Sequence, residues 1–143
     1  MNPEADMTEA ELKSAFAAFR VEFEKALVAQ GAGNAEPFIS LWSPKPDVMI
    51  FGALGGMERG WEEIGSRLRW VTGQVSARIT RLENLVTSIN GTMALTADLE
   101  HTIRTIDGHS AERTLRVTQG YRFEDGAWKI FYRHGDVFQP SGR

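Results

Sequence analysis

Thr118-Gln119-Gly120-Tyr121-Arg122-Phe123-Glu124-Asp125-Gly126-Ala127-Trp128-Lys129-Ile130-Phe131-Tyr132-Arg133-His134 reads as two β-strands joined by a tight turn. Asp-Gly between alternating apolar residues is a strong two-residue hairpin signal. With Glu124 opposite Ala127, the ladder pairs Phe123 with Trp128, Tyr121 with Ile130, Gln119 with Tyr132 and Val117 with His134. Paired residues share a face of the sheet. One face therefore carries Gln119, Tyr121, Phe123, Trp128, Ile130, Tyr132, His134 and Asp136. The other carries Arg116, Thr118, Gly120, Arg122, Lys129 and Arg133. The first face is expected under the helices. It is apolar near the turn and polar at the far end, as a pocket mouth would be. A one-residue slip would exchange the two faces.

Outward from this hairpin the chain continues as a meander. Asn90-Gly91 and Asp107-Gly108 are further turn signals. Between them Met93, Leu95, Ala97, Leu99, His101 and Ile103 alternate. On that reading Glu100 faces the other way, toward Arg116 or Arg104. The extended stretch 76–89 loses its alternation near Leu82-Glu83, where a bulge is expected. The preceding half is helical. Thr8-Glu9-Ala10-Glu11 matches a capping box. Leu12, Phe16, Phe19, Phe23 and Leu27 then form one stripe of a helix over about 8–30. A short helix over 34–42 is expected, then the proline-broken loop Ser43–Asp47 and a short strand Val48–Phe51. Gly52–Gly56 reads as a flexible turn. Trp61, Ile64, Leu68 and Val71 mark a third helix ending at Gly73. Helices first and antiparallel strands after argue an α+β domain, helices on one face of a curved sheet.

The chain has 143 residues, one domain's worth, with an expected ordered core of about 8–138. Apolar residues make up 42%, enough for a globular core. With no cysteine, thiol nucleophiles, disulfides and thiolate metal sites are excluded. A net charge of -3 argues against nucleic acid, and no run approaches membrane-spanning length. The acidic start Met1–Asp6 does not look like a signal peptide, so a cytoplasmic location is expected.

The closing hairpin resembles that of the SnoaL-like proteins, in the nuclear transport factor 2-like superfamily that includes ketosteroid isomerases. The residues that carry the resemblance are the Asp125-Gly126 turn, Trp128 two residues past it and His134 six beyond the Trp. The hairpin also resembles the association domain of calcium/calmodulin-dependent kinase II. Leu41-Trp42-Ser43-Pro44 and Gly60-Trp61-Glu62-Glu63-Ile64 agree, so the resemblance runs from about Thr8 to Phe138. It implies a cone-shaped fold, in which a strongly curved, mostly antiparallel sheet wraps a long N-terminal helix, with two shorter helices. It implies a pocket at the open end and commonly a dimer. Members include isomerases, cyclases, dehydratases and non-catalytic binding or assembly domains. The first helix has no tyrosine, so an oxyanion donor there is missing.

His134 and Asp136, two apart on one strand face, are the candidate catalytic residues: a histidine can shuttle a proton and a carboxylate can orient it. Trp42, Phe51, Trp61, His101, Gln119, Tyr121 and Tyr132 are the candidate substrate-binding residues, each weighed against plain core filling or a satisfied polar role. His101, His134 and Asp136 are too scattered to argue a metal, and no cofactor is expected. The expected function is binding of a small molecule in an aromatic-lined pocket by a homodimer. Any reaction would be cofactor-free proton transfer of isomerase or lyase type on a small carbonyl compound. The alternative is a non-catalytic ligand-binding or dimeric assembly module. The basic face is expected to be solvated or dimer-facing.

Overall fold

A computed structural model describes residues 7–140. The acidic start Met1–Asp6 lies outside the described residues. Helix α1 spans Glu9–Gly31. Its capping box is formed: Thr8 Oγ1 accepts from the Glu11 amide at 3.0 Å, and Glu11 accepts from the Thr8 amide at 3.2 Å. Its inward stripe is Leu12, Phe16, Phe23 and Leu27. The short helix α2 is Glu36–Ser40, β1 is Met49–Phe51 and β2 is Met57–Arg59. The glycine turn thus leads into a strand that the sequence pattern did not mark. Helix α3 is Trp61–Gln74. The long strands are β3 (Ser76–Asn90), β4 (Met93–Ile106), β5 (His109–Glu124) and β6 (Ala127–Val137).

The sheet order is β2-β1-β6-β5-β4-β3. Strands β1 and β6 run parallel; the other strand pairs are antiparallel. The sheet wraps α1 as a cone, and among the described residues no helix covers its outer face. Phe16 sits edge-on to Tyr121 at 4.9 Å and to Trp128 at 5.1 Å, tying α1 to the closing hairpin. Trp128 Nε1 donates to the Leu12 carbonyl at 3.1 Å. Asp107, Gly108, Asp125 and Gly126 all have positive φ, as two-residue hairpin turns require. The first turn lies one residue later than the Asn90-Gly91 signal, with Asn90 paired to Met93 around Gly91-Thr92.

The register corrects the assignment of faces. Tyr121 pairs with Ile130 but Gly120 pairs with Tyr132, so Phe131 is an extra residue in β6. This β-bulge inverts the rest of the strand. Arg133 turns inward and is buried, whereas Tyr132, His134 and Asp136 turn outward. The expected shared core face of Gln119, Tyr132, His134 and Asp136 therefore does not form, and Gln119 alone of the four stays inside. Gly120 makes room for the bulge: a Cβ there would stand 3.0 Å from Cζ of the Phe131 ring.

Strand β4 is inverted relative to the expected reading as well. Thr96, Asp98, Glu100 and Thr102 are buried toward the helices. Met93, Leu95, Leu99 and His101 lie on the outer face. Apolar residues mark the outside here because the inside polar groups are paired, which removes the usual penalty for burying them. In β3 the irregularities fall at Ile79/Arg81 and Asn84/Val86, on either side of the expected bulge at Leu82-Glu83. No helix among the described residues is long and apolar enough to cross a membrane.

Candidate functional site

Between the C-terminal half of α1, one side of α3 and the concave sheet lies a partly open cavity of about 140 Å³. Its walls are mainly apolar, with Leu27 from α1, Leu68 and Val71 from α3, Ile50 from β1, Ile79 from β3 and Leu115 from β5. The Gly52-Ala53-Leu54 turn also lines it.

Polar floor groups come from the strand faces that the register inverted. Arg133 Nη2 donates to Glu100 Oε1 at 2.7 Å and Arg133 Nη1 to Glu100 Oε2 at 2.9 Å. This two-pronged pair is nearly solvent-free, with Arg133 9% and Glu100 1% exposed. Burial opposes the Arg133 charge, but the Glu100 carboxylate, with Tyr121 and Asp98 nearby, outweighs it, so the guanidinium is held above its ordinary pKa.

Behind the floor runs a directional hydrogen-bond chain. Arg133 Nη1 donates to Gln119 Oε1 at 2.7 Å, and Gln119 Nε2 donates to the Tyr121 hydroxyl at 2.6 Å. Arg20 Nη1 on α1 also donates to that hydroxyl, at 2.9 Å. With two N–H donors on its oxygen, Tyr121 directs its own proton to Thr96 Oγ1 at 2.6 Å. Burial raises the Tyr121 pKa, which keeps the phenol protonated. Arg20 makes a second fork to Asp98, at 2.9 and 3.0 Å, and Asn84 Nδ2 donates to Asp98 Oδ1 at 2.9 Å. Two arginine-carboxylate pairs thus stand side by side under α1, joined through Tyr121 and Gln119.

The expected site residues are distributed differently. None of Trp42, Phe51, Trp61, His101, Gln119, Tyr121, Tyr132, His134 and Asp136 lines this cavity. Gln119 and Tyr121 stand one and two hydrogen bonds behind its floor. Trp42 is core, and its backbone bridges to Ile130. Trp61 is the first residue of α3, and its Nε1 donates to the Ile39 carbonyl of α2 at 3.3 Å. Phe51 packs on the outer face against Tyr132 and His134, with ring centroids 6.0 and 5.3 Å apart. Asp136 is forked by Arg116 at 2.8 and 2.7 Å. His134 is exposed and lies opposite Thr118. His101, also outside, binds Glu83 at 2.9 Å and Thr114 at 3.1 Å. The basic face is split: Arg116 and Arg122 are outside, paired to Asp136 and Asp47, while Arg133 is inside. Glu100 is in an ion pair as expected, with Arg133 in place of Arg116 or Arg104. Among the described residues no cluster of three or more His, Asp or Glu could hold a metal ion. The lone glycine at 120 inside a strong strand pattern was the signal for the bulge, and with it for Arg133.

The SnoaL-like domain family matches residues 23–138. The chain belongs to this family. Solved structures of like fold include a ketosteroid isomerase-like protein from Erwinia carotovora atroseptica. It is 14% identical with a TM-score of 0.75, covering 93% of this chain and 100% of that one. A nuclear transport factor 2-like superfamily protein from Salmonella enterica serovar Typhimurium is 15% identical with a TM-score of 0.75, covering 94% and 96%. A protein described as a calcium/calmodulin-dependent kinase II association domain, from Exiguobacterium sibiricum, is 16% identical with a TM-score of 0.68, covering 94% and 99%. Among curated proteins none matches. At such identities the likeness is one of fold: the SnoaL-like domain has the cone shared by these proteins.

Proposed function

We propose that this SnoaL-like domain binds a small, largely apolar molecule in the cavity under α1 and α3. The observation that carries the reading is an apolar cavity of about 140 Å³ floored by the buried Glu100–Arg133 pair. Interiors are otherwise close-packed, and a pocket with few convergent polar groups is the usual form of a ligand site. Where the bound molecule is a carbonyl compound, the chemistry supported is proton transfer. Each Glu100 oxygen keeps a lone pair beyond the one Arg133 uses, and Arg133 balances the charge as the proton moves. The test is thermal-shift screening with small carbonyl compounds on the native chain and on Val71→Trp, which fills the cavity from α3. Binding to the native chain that Val71→Trp abolishes supports the reading. Binding that Val71→Trp leaves unchanged overturns it.

A second reading, assembly as a homodimer, is favoured by the uncovered sheet face. Val86, Met93 and Leu95 stand about half exposed there, beside a shallow depression lined by Gly120, Phe131 and Tyr132. Contiguous exposed apolar surface of this kind marks a contact site. Its charged rim is internally paired, Arg116 with Asp136 and Arg81 with Glu83, so a second copy meets no like-charge excess. Sedimentation of Leu95→Glu as a monomer, against a native dimer, is the expected result. A native monomer at micromolar concentration would overturn the dimer reading.

A further inference from the structure

The charge around the cavity is unbalanced in one direction. Two acidic residues, Glu58 and Glu100, and four arginines, Arg67, Arg104, Arg113 and Arg133, line it. Each carboxylate faces one arginine: Glu100 is forked by Arg133 at 2.7 Å, and Glu58 stands 3.8 Å from Arg67. Arg104 and Arg113 have no carboxylate within ion-pair distance among the described residues. Arg113 lies opposite Thr102, and Arg104 lies opposite Ala111. They are therefore diagonal neighbours on the concave face, about 7–8 Å apart at the backbone. Both are more exposed than the floor pair, which places them toward the mouth. The C-terminal ends of α1 and α3, at Gly31 and Val75, also border the cavity. Each contributes roughly half a negative charge, which the two guanidiniums without a carboxylate outweigh; Arg113 Nη1 donates only to the neutral Glu112 carbonyl, at 3.0 Å. The mouth is thus positive in a chain whose net charge is -3.

From this imbalance we infer that the cavity takes a small monocarboxylate. Its anionic head is held by Arg104 and Arg113 at the mouth, and an aryl or branched-alkyl body lies among Leu27, Leu68, Ile79 and Leu115. Size sets the body. A cavity of roughly 150 Å³ with aliphatic walls holds one benzene, and this one has about 140 Å³. The floor pair is internally neutral and adds no second anion site. Planar guanidiniums suit a carboxylate because they can bind both its oxygens.

This inference rests on the cavity-binding reading, and titration calorimetry separates the two. Benzoate, benzyl alcohol and benzylamine share one ring and differ in the charge of the head. Benzoate is expected to bind roughly tenfold or more tighter than benzyl alcohol, with benzylamine weakest. The preference should shrink as salt is raised. In Arg104→Gln/Arg113→Gln, at exposed or half-exposed positions that leave the core intact, benzoate should fall to the level of benzyl alcohol. Equal binding of benzoate and benzyl alcohol to the native chain would overturn the anion assignment and leave cavity binding standing. A benzoate preference that survives the double variant would overturn the role of the two arginines. If none of the three binds, and Val71→Trp changes no ligand's effect, both readings fall.

Discussion

Replacing Glu100 by Gln would leave the Arg133 guanidinium charged, buried and facing an amide. Both Glu100 oxygens now accept from Arg133, at 2.7 and 2.9 Å. In the variant at most one remains an acceptor, and the other becomes a donor pointed at a donor. Removing one partner of a buried ion pair costs about 3–5 kcal/mol. That is a large share of the roughly 5–15 kcal/mol by which domains are stable. For a chain of this length it lowers Tm by roughly 10–15 °C. With a urea m-value of about 2 kcal/mol/M, the midpoint should drop by about 1.5–2.5 M. Glu100→Leu/Arg133→Met removes both charges and fills the volume, and such exchanges are often near neutral. Gln119 Oε1 would then lose its Arg133 donor, at about 1–3 kcal/mol. The double variant should therefore be more stable than Glu100→Gln. Equilibrium urea unfolding followed by circular dichroism gives all the values. A loss below about 1 kcal/mol for Glu100→Gln would refute the desolvated pair. A double variant as unstable as the sum of Glu100→Leu and Arg133→Met measured singly would refute their coupling.

Further outcomes follow from the same geometry. Tyr121→Phe leaves the Gln119 and Arg20 donors and Thr96 without the phenol oxygen. It should lose about 1–3 kcal/mol in urea unfolding, whereas no loss would mean the chain behind the floor is not formed. Asp47 and Asp136 are held below the ordinary carboxylate range by Arg122 and Arg116. Their contribution is present above the unfolded value of about 3.9 and is lost as pH falls through the depressed folded values. Urea midpoints should thus fall on acidification below about pH 4, and less steeply in Arg122→Met; equal slopes would contradict the pairing. His134→Ala lies outside the cavity and should leave ligand affinity and Tm shifts unchanged in the calorimetric assay. A loss of affinity would return His134 to the site.

Local patterns carried the architecture because they are local in cause. The Thr8 capping box, the stripe Leu12, Phe16, Phe23 and Leu27, and the Asp107-Gly108 and Asp125-Gly126 turns each depend on residues a few positions apart. They sufficed for an α+β domain with a curved sheet and for the SnoaL-like resemblance, which in turn implied the cone. They could not decide which way β4 and the end of β6 face. In β4 an apolar row and a polar row alternate with the same period, and simple hydrophobicity assigns the apolar row to the core. Only the partners supplied from elsewhere make the polar row the buried one: Arg20 from α1 for Asp98, and Arg133 from β6 for Glu100. In β6 one extra residue, Phe131 over Gly120, exchanges His134 for Arg133 as the inward side chain. The sequence by itself determined every element except β2, their order and the family of the fold. The tertiary structure alone decided the site, because a strand's face is set by register, and register is settled by charges and space on strands far away in the chain.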